Sequence, residues 1–418
     1  MLEDRTYTVK EGDTYDTISR TMYGTDSHAG FLEGVNNGSY LIPGEVLIVP
    51  PVVARSESVQ TVLPGVGAGD LSIIIAGKRI VPESARVLRA MDAAVDGWTA
   101  VIEWTPEMAA LVSPFSYPPA SVYIGGQLAV NGAVYGVKSE FKERREIILE
   151  GYSFMADAVD SSMAPPYQTM GVTLRQHAEE VLKPLGMRPI FQEGVSEGEL
   201  FNGSPVDDAF GVTDAEPDTG IFDHLSKYAF QRDLLIASSP SGDPIFLQAN
   251  ISGGTVGVLY EGGPHVLEWS GEFDGRKRFN TYRSFGYSPL SGDKAVEAKD
   301  AKVPRYRTMA FKADDTEAWD IGYTAEWKRS KQVADSISIK LPLDTWYAPD
   351  GTLWTYNTLV SVVSKTLFVP GGFDFLIKSV EYAFDKKGRT AEISLVPPGV
   401  YAPRGKRAED PWMQFQEE

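Results

Sequence analysis

The chain switches between two hydrophobic periods, and the switches mark its parts. Near the start, "YTVKEGDTYDTISRTMYG" places Ile18 and Met22 four residues apart on one face of a helix that Asp13 or Thr14 caps and Gly24 ends. "FLEGVNN" reads as a short second helix, with "TYTV" and "LIPGEVLIVPP" as strands on either side. The order over this stretch is therefore strand, helix, helix, strand. Residues 53–69, "VARSESVQTVLPGVGAG", are small and turn-forming with no sustained period, which predicts a linker. Period two then takes over. "LSIIIAGKRIV" predicts a hairpin turning at Gly77 and Lys78, "SVYIGGQLAVNGAVYGVKSEF" another at Gly125 and Gly126, and "REIILEGYS" a further strand. Asn131 and Gly132 fit either a turn or a bulge.

Helical period returns in "TLRQHAEEVLKPLGM", where Leu174, Ala178, Val181, Leu182 and Leu185 share a face, Thr173 and Gln176 have capping-box spacing, and residues 184–186 form a stop. "DTGIFDHLSKYAFQRDLLIASSPSGDPIFLQA" adds a helix with Ile221, Leu225, Tyr228 and Ala229 on one face, then a hairpin turning within 239–243. The C-terminal third is expected to return to strands. "SISIKLPL" alternates polar and apolar positions, and "FDFLIKSVEYAF" and "TAEISLV" flank a turn at 385–388. The expected fold class is α+β, predominantly β: a small βααβ module followed by two small β-barrel domains with an α+β insert. The boundaries read from these switches are a module at 1–52, a linker at 53–69, a first barrel at 70–160, an α+β domain at 161–268, a second barrel with an insert at 269–402, and a tail at 403–418.

Composition narrows the function. A chain of 418 residues suits two to four domains. With 57 acidic against 39 basic residues the formal net charge is −18, which argues against binding a phosphate backbone as the main activity. The absence of cysteine excludes disulfides, thiolate nucleophiles and thiolate metal sites. The four histidines, His28, His177, His224 and His265, are too scattered for a local metal motif, and neither His-Glu-x-x-His nor Gly-x-Ser-x-Gly occurs. The pairs Asp207, Asp208 and Asp314, Asp315 read as solvated loop charges, and Trp98, Trp104, Trp327 and Trp354 as core packing. No catalytic residue, metal or cofactor is expected. No apolar run is long enough to span a bilayer, and the N-terminus lacks the regions of a signal peptide, so synthesis in a cytoplasm is expected.

Two resemblances add to this reading. Residues 7–50, with "YTVKEGDT", the helix ending in "YG", the Asn pair and "LIPGEVLIVP", resemble a LysM domain. That resemblance implies a shallow groove for N-acetylglucosamine polymers and, by position, the candidates Gly12, Asp13, Thr14, Tyr15, Ile42 and Pro43. The same residues suit a helix cap and a turn, so peptidoglycan binding and docking on a neighbouring protein both stand.

From about residue 67 to 402, "LSIIIAGKRI", "DGWTAVIEW", "VTLRQHAEEVLKPLGM", "GTLWTYNTLVSVV" and "FLIKSVEYAFDKKGRTAEISLVPP" resemble, in order and texture, the baseplate hub proteins of Mu-like contractile-tailed phages, which are related to the hub part of type VI secretion spikes. The resemblance implies a non-enzymatic homotrimer with two similar barrels per chain. Its ring would join the sixfold tail tube to the threefold spike and let DNA pass without specific binding. The implied partners are the tail tube protein or tube initiator, the central spike and the baseplate wedge proteins. The implied location is the virion tail baseplate, after assembly in the bacterial host cytoplasm. Trp412, Met413 and Phe415 in the tail are candidates for partner docking. The alternative is a peptidoglycan hydrolase tethered by the LysM module.

Overall fold

Strands predominate, with 45% of the described residues in strands and 19% in helices, so the expected α+β class with a predominance of β holds. The computed structural model describes residues 5–23, 29, 32–33, 36, 40–49, 60–141, 144–164, 167–193, 195, 210–230, 232–288, 292–312 and 321–401. Two compact units emerge: residues 1–198, 204–247 and 383–388, and residues 199–203, 248–382 and 389–418.

In the first unit the N-terminal segment pairs strand β1 (Arg5–Thr8) antiparallel with β2 (Val46–Val49), with helix α1 (Tyr15–Tyr23) between them in sequence. Val9, Ile18, Leu32, Leu47 and Val49 form its core. Asn36, the first of the Asn pair, is a cross-tie: its Nδ2 donates to the Leu32 carbonyl at 2.8 Å and its Oδ1 accepts from the Ile48 N–H at 2.9 Å. Most of the second predicted helix lies outside the described residues.

The main sheet of this unit holds β3 (Leu71–Ile75), β4 (Lys78–Ile80), β5 (Ser84–Ala90), β6 (Gly97–Glu103), β7 (Pro119–Ile124), β8 (Gln127–Phe141) and β9 (Arg145–Ser153), with α2 (Pro106–Leu111) between β6 and β7. Its order is β5-β6-β9-β8-β7-β3-β4. The first hairpin turns at Ala76 and Gly77, one residue earlier than predicted. Both have positive φ, 46° and 82°, as a two-residue turn with the twist of the sheet requires, and Lys78 already belongs to β4. Gly125 and Gly126, at 56° and 80°, make the predicted second turn.

Asn131 and Gly132 are neither turn nor bulge. They lie inside β8, between irregularities of register at Ala129 and Tyr135. A Cβ on Gly132 would sit 1.8 Å from the Tyr152 carbonyl oxygen, and one on Gly151 would sit 2.2 Å from the Trp98 ring, so these strands approach only as closely as glycine permits.

The remainder of the unit comprises α3 (Met155–Asp160), β10 (Gln168–Val172), α4 (Leu174–Leu182), β11 (Ile190–Phe191), β12 (Phe210–Asp214), α5 (Ile221–Phe230), β13 (Leu235–Ser238) and β14 (Pro244–Leu247). The predicted capping box of α4 is formed in both directions by Thr173 and Gln176, and left-handed Gly186 closes the 3-10 turn that follows. Ile221, Leu225, Tyr228 and Ala229 of α5 are buried, as their spacing predicts. The β13–β14 hairpin is fastened to the main sheet at Asn131, whose Nδ2 donates to the Ser241 carbonyl at 2.9 Å while its Oδ1 accepts from Ser121 Oγ at 2.8 Å.

The second unit contains β15 (Thr255–Tyr260), β16 (Ser270–Phe273), β17 (Thr281–Ser288), β18 (Gly292–Lys299), β19 (Thr308–Lys312), α6 (Ile321–Asp335), β20 (Ile337–Leu343), β21 (Leu359–Ser364), β22 (Val369–Asp385) and β23 (Gly388–Val396). One sheet runs β16-β20-β23-β22-β21-β15, with β15 parallel to β21. In β20, Ile337, Ile339, Leu341 and Leu343 are buried while Ser338 and Lys340 are exposed, the predicted alternation. Trp346, Trp354 and Tyr382 are buried in this unit. Trp98 is buried too, whereas Trp104 and Trp327 are half-buried under the cations of Arg145 and Lys331.

Among the strands of the C-terminal third stands a helix that the periodicity did not show, the 15-residue α6. It packs on a separate β18-β17-β19 sheet, where Ala325 meets Tyr282 and Ala298.

The Asn131 and Gly132 pair yields a direct test. We expect Gly132→Ala to cost about 3 kcal/mol, since a backbone oxygen cannot yield to the new methyl. Asn131→Ala should cost about 2 kcal/mol through the partners it leaves unpaired. Urea midpoints measure both; a Gly132→Ala protein as stable as the parent would contradict the described packing.

Candidate interaction surfaces

The N-terminal module positions its candidate residues through two joined loops. Val9 donates to the Glu45 carbonyl and accepts from the Gly44 N–H, both at 2.8 Å, so the loop after β1 and the loop before β2 meet at one end of the two-stranded sheet. Gly12, Asp13, Thr14, Tyr15, Ile42 and Pro43 are thereby brought to that end. Their side chains have different duties. Asp13 accepts from the Lys10 N–H at 2.7 Å and from the Tyr7 hydroxyl at 2.9 Å, which raises the Tyr7 pKa. Thr14 is the helix cap: its Oγ1 accepts from the Thr17 N–H at 3.2 Å, and its own N–H donates to Thr17 Oγ1 at 2.9 Å. Tyr15 packs against the module core, and Gly12 supplies a turn at φ 85°. Among the module's described residues the most exposed large apolar side chains are Tyr40, 96% exposed, and Ile42, 64% exposed, with Val46 and Ile48 of β2 exposed as well. Sequence reading passed over Tyr40 because nothing in periodicity separates an exposed loop tyrosine from a core one.

A second cluster pairs two histidines that the sequence shows only as separate members of two helices. His177 on α4 and His224 on α5 are buried, with Nε2 to Nε2 at 2.8 Å. One imidazole must donate and the other accept, so the pair holds a single proton between the rings. Tyr228 lies edge-on to both, and its hydroxyl accepts from the Asp214 N–H at 2.9 Å. Thr169 Oγ1 stands 3.4 Å from His177 Nδ1. Burial lowers the pKa of each histidine to about 4, assisted by His224 for His177 and by Lys227 for His224. Each histidine falls on its helix's buried stripe, and only tertiary packing brings the stripes together.

The basic run at 276–278 is engaged within the unit. Arg276 pairs with Asp274, Lys277 Nζ donates to the Asp335 carbonyl at 2.7 Å, and Arg278 pairs with Asp300. Among the described residues no group of three or more His, Cys, Asp or Glu side chains is placed to hold a metal ion. Asp207, Asp208, Asp314 and Asp315, and the tail residues Trp412, Met413 and Phe415, lie outside the described residues.

Fold and surfaces together describe a sheet-rich protein, and comparison with known proteins shows what it is similar to. Residues 321–404 match the family of the Mu phage baseplate assembly protein GpP, fourth domain. The chain is 26% identical over 290 residues to the baseplate hub protein gp44 of Escherichia phage Mu, covering 66% of this chain and 73% of that protein. The crystal structure of the 43 kDa tail protein of prophage MuSo2 from Shewanella oneidensis superposes with a TM-score of 0.68 at 25% identity, over 80% of this chain and 99% of that one. A tail protein from Neisseria meningitidis MC58 shares the fold, with a TM-score of 0.67 at 18% identity, over 79% of this chain and 97% of that one. The chain is thus similar in sequence and fold to Mu-type baseplate hub proteins, and these findings support a structural tail or baseplate role.

Two outcomes follow for the module and the histidine pair. Thr14→Ala should destabilise the module by ~1 kcal/mol through loss of the cap, measured by thermal melting of the helical signal. The histidines have folded pKa values of about 4, below the free value of about 6.5. Their contribution to stability is therefore complete above pH 6.5 and is lost as the pH falls towards 4. Asp96, which burial pushes up to about 6 against the pull of Arg89, works in the opposite direction but equally in any histidine variant. We expect His224→Gln to flatten the fall of the urea midpoint between pH 6.5 and 4. An unchanged pH profile would contradict the buried pair.

Proposed function

We propose that this chain is the trimeric hub of a contractile-tail baseplate, a ring that adapts the sixfold tube to the threefold spike and lets DNA pass. The observation that carries the reading is the match to the MuSo2 tail protein, which takes in nearly all of that protein and leaves about a fifth of this chain over. The remainder is close in length to an N-terminal module plus linker, in keeping with a module added to a hub body. Symmetry gives the physical reason for such a body: a trimer meets a hexamer only if each chain offers two near-equivalent surfaces. The division of the chain into two compact units is compatible with that requirement. A net charge of −18 suits a channel that must release a phosphate backbone rather than hold it. The tube or tube initiator, the spike and the wedge proteins are its partners in this reading. The chain performs no catalysis.

The N-terminal module is, in this proposal, a LysM-type unit whose ligand contacts come from Ile42, Pro43 and Tyr40, while Asp13 and Thr14 shape the loop from within. Peptidoglycan is the ligand this face suits best, since exposed apolar and aromatic side chains stack on sugar rings.

Light scattering on the purified chain tests the hub reading, with an expected mass three times the 45.8 kDa chain. A monomer at micromolar concentration, or clearing of a peptidoglycan gel, would count against it. For the module, Ile42→Ala with Tyr40→Ala should lower retention on peptidoglycan at least fivefold with the melting curve unchanged. Equal retention would remove the sugar assignment without touching the hub.

A further inference from the structure

The second unit carries a cleft of about 690 Å³ that the hub reading does not use. Its lining includes Arg278, Lys302, Arg305 and Arg307 against one carboxylate, Asp274, in a chain where acidic residues outnumber basic ones 57 to 39. Contacts within the unit set two of these cations. Arg278 grips Asp300 with two parallel bonds, Nε to Oδ2 at 2.7 Å and Nη2 to Oδ1 at 2.9 Å. Arg307 donates from Nη2 to the Arg276 carbonyl at 2.6 Å, and its guanidinium lies 5.1 Å from the centre of the Phe279 ring.

The lining also has an aromatic side, formed by Phe273 and Phe368 with ring centres 5.9 Å apart. Phe368 is 60% exposed and has a φ of 59°, in the left-handed region that bulky residues enter only at a cost in strain. The turn that carries it is pinned by Glu261, whose carboxylate accepts from Ser364 Oγ at 2.5 Å and from the Thr366 N–H at 2.7 Å. Those bonds, that from Ser364 foremost, hold the Glu261 pKa down at about 2, so the pin stays ionised at any working pH. A strained, exposed aromatic on a fixed turn, beside a cationic wall, matches a ligand with carboxylates and aromatic rings on one short peptide.

The chain contains such a peptide. Residues 409–418, "EDPWMQFQEE", hold four acidic side chains, no basic one, and Trp412, Met413 and Phe415. The path is short enough as well. The described chain reaches Tyr401 in the 3-10 turn Pro398–Tyr401, which packs on α6, and α6 also packs on the 3-10 turn Gly275–Lys277 at the border of the cleft. Helix α6 is about 22 Å long by its 1.5 Å rise per residue. The eleven residues from 401 to 412 span up to about 36 Å when extended. We propose that residues 409–418 dock in this cleft of the same chain, their carboxylates on its cationic side at Arg305 and their aromatic side chains against Phe273 and Phe368.

Because the chain has no cysteine, two introduced thiols report on the contact in the full-length protein. Pro304→Cys with Met413→Cys, treated with a short bismaleimide, should give an intrachain cross-link in most molecules, recognised by mass and by faster migration on a denaturing gel. Adding Glu409→Lys, Asp410→Lys and Glu417→Lys should reduce the yield at least fivefold, and high salt should act in the same direction. All five positions lie on the exposed loop or in the tail, so these variants are expected to fold, as circular dichroism would verify. A yield indifferent to tail charge would overturn the proposal. So would a product that joins two copies, which would assign the cleft to a neighbour's tail. Neither result depends on the oligomeric state in the hub reading.

Discussion

The first unit depends on the close approach of β8 and β9, which glycine alone allows. Gly132 lies against the Tyr152 carbonyl and Gly151 against the Trp98 ring, so the two strands and the indole occupy space that a single methyl group would fill. Asn131 turns that approach into a junction. Its backbone carbonyl accepts from Phe154, its side-chain oxygen from Ser121, and its amide donates to Ser241. Sheet, following helix and later hairpin are fastened at one residue. The irregularities of register at Ala129 and Tyr135 leave Asn131 and Gly132 between two places where the strand can bend.

Local chemistry was the legible part of the sequence. The capping box of Thr173 and Gln176, the buried stripe of α5, the alternation of β20 and the glycine turn at 125–126 each follow from neighbours within a few residues. What escaped depends on distant contacts. Asn131 and Gly132 have the composition of a hairpin turn, and only the proximity of Tyr152 and Ser241 shows their use. Helix α6 escaped because its buried contact is narrow: Ala325 and Val333 are buried, while Trp327 stays half-exposed, so no broad apolar stripe runs along it. The first turn slipped by one residue because Ala76 adopts a positive φ that composition assigns to glycine.

The sequence named six candidate residues that lie at one end of the module, but not the division of labour among them. Asp13 and Thr14 satisfy backbone N–H groups, while Ile42 and Tyr40 are exposed. The same contrast recurs in the second unit, where the conspicuous basic run at 276–278 is bound to Asp274, Asp300 and the Asp335 carbonyl. Charge and composition state what a segment contains; hydrogen bonding decides how much of it remains for a partner.

The central claim is a place in a particle: three copies around the tail axis, between tube and spike. Electron cryo-microscopy of purified tails carrying this chain measures that directly. The account predicts density for three copies, with the main sheets of both units fitting a ring at the tube's end. Density for this chain in the sheath or on the outer wall of the baseplate, or complete baseplates from which it is absent, would contradict it.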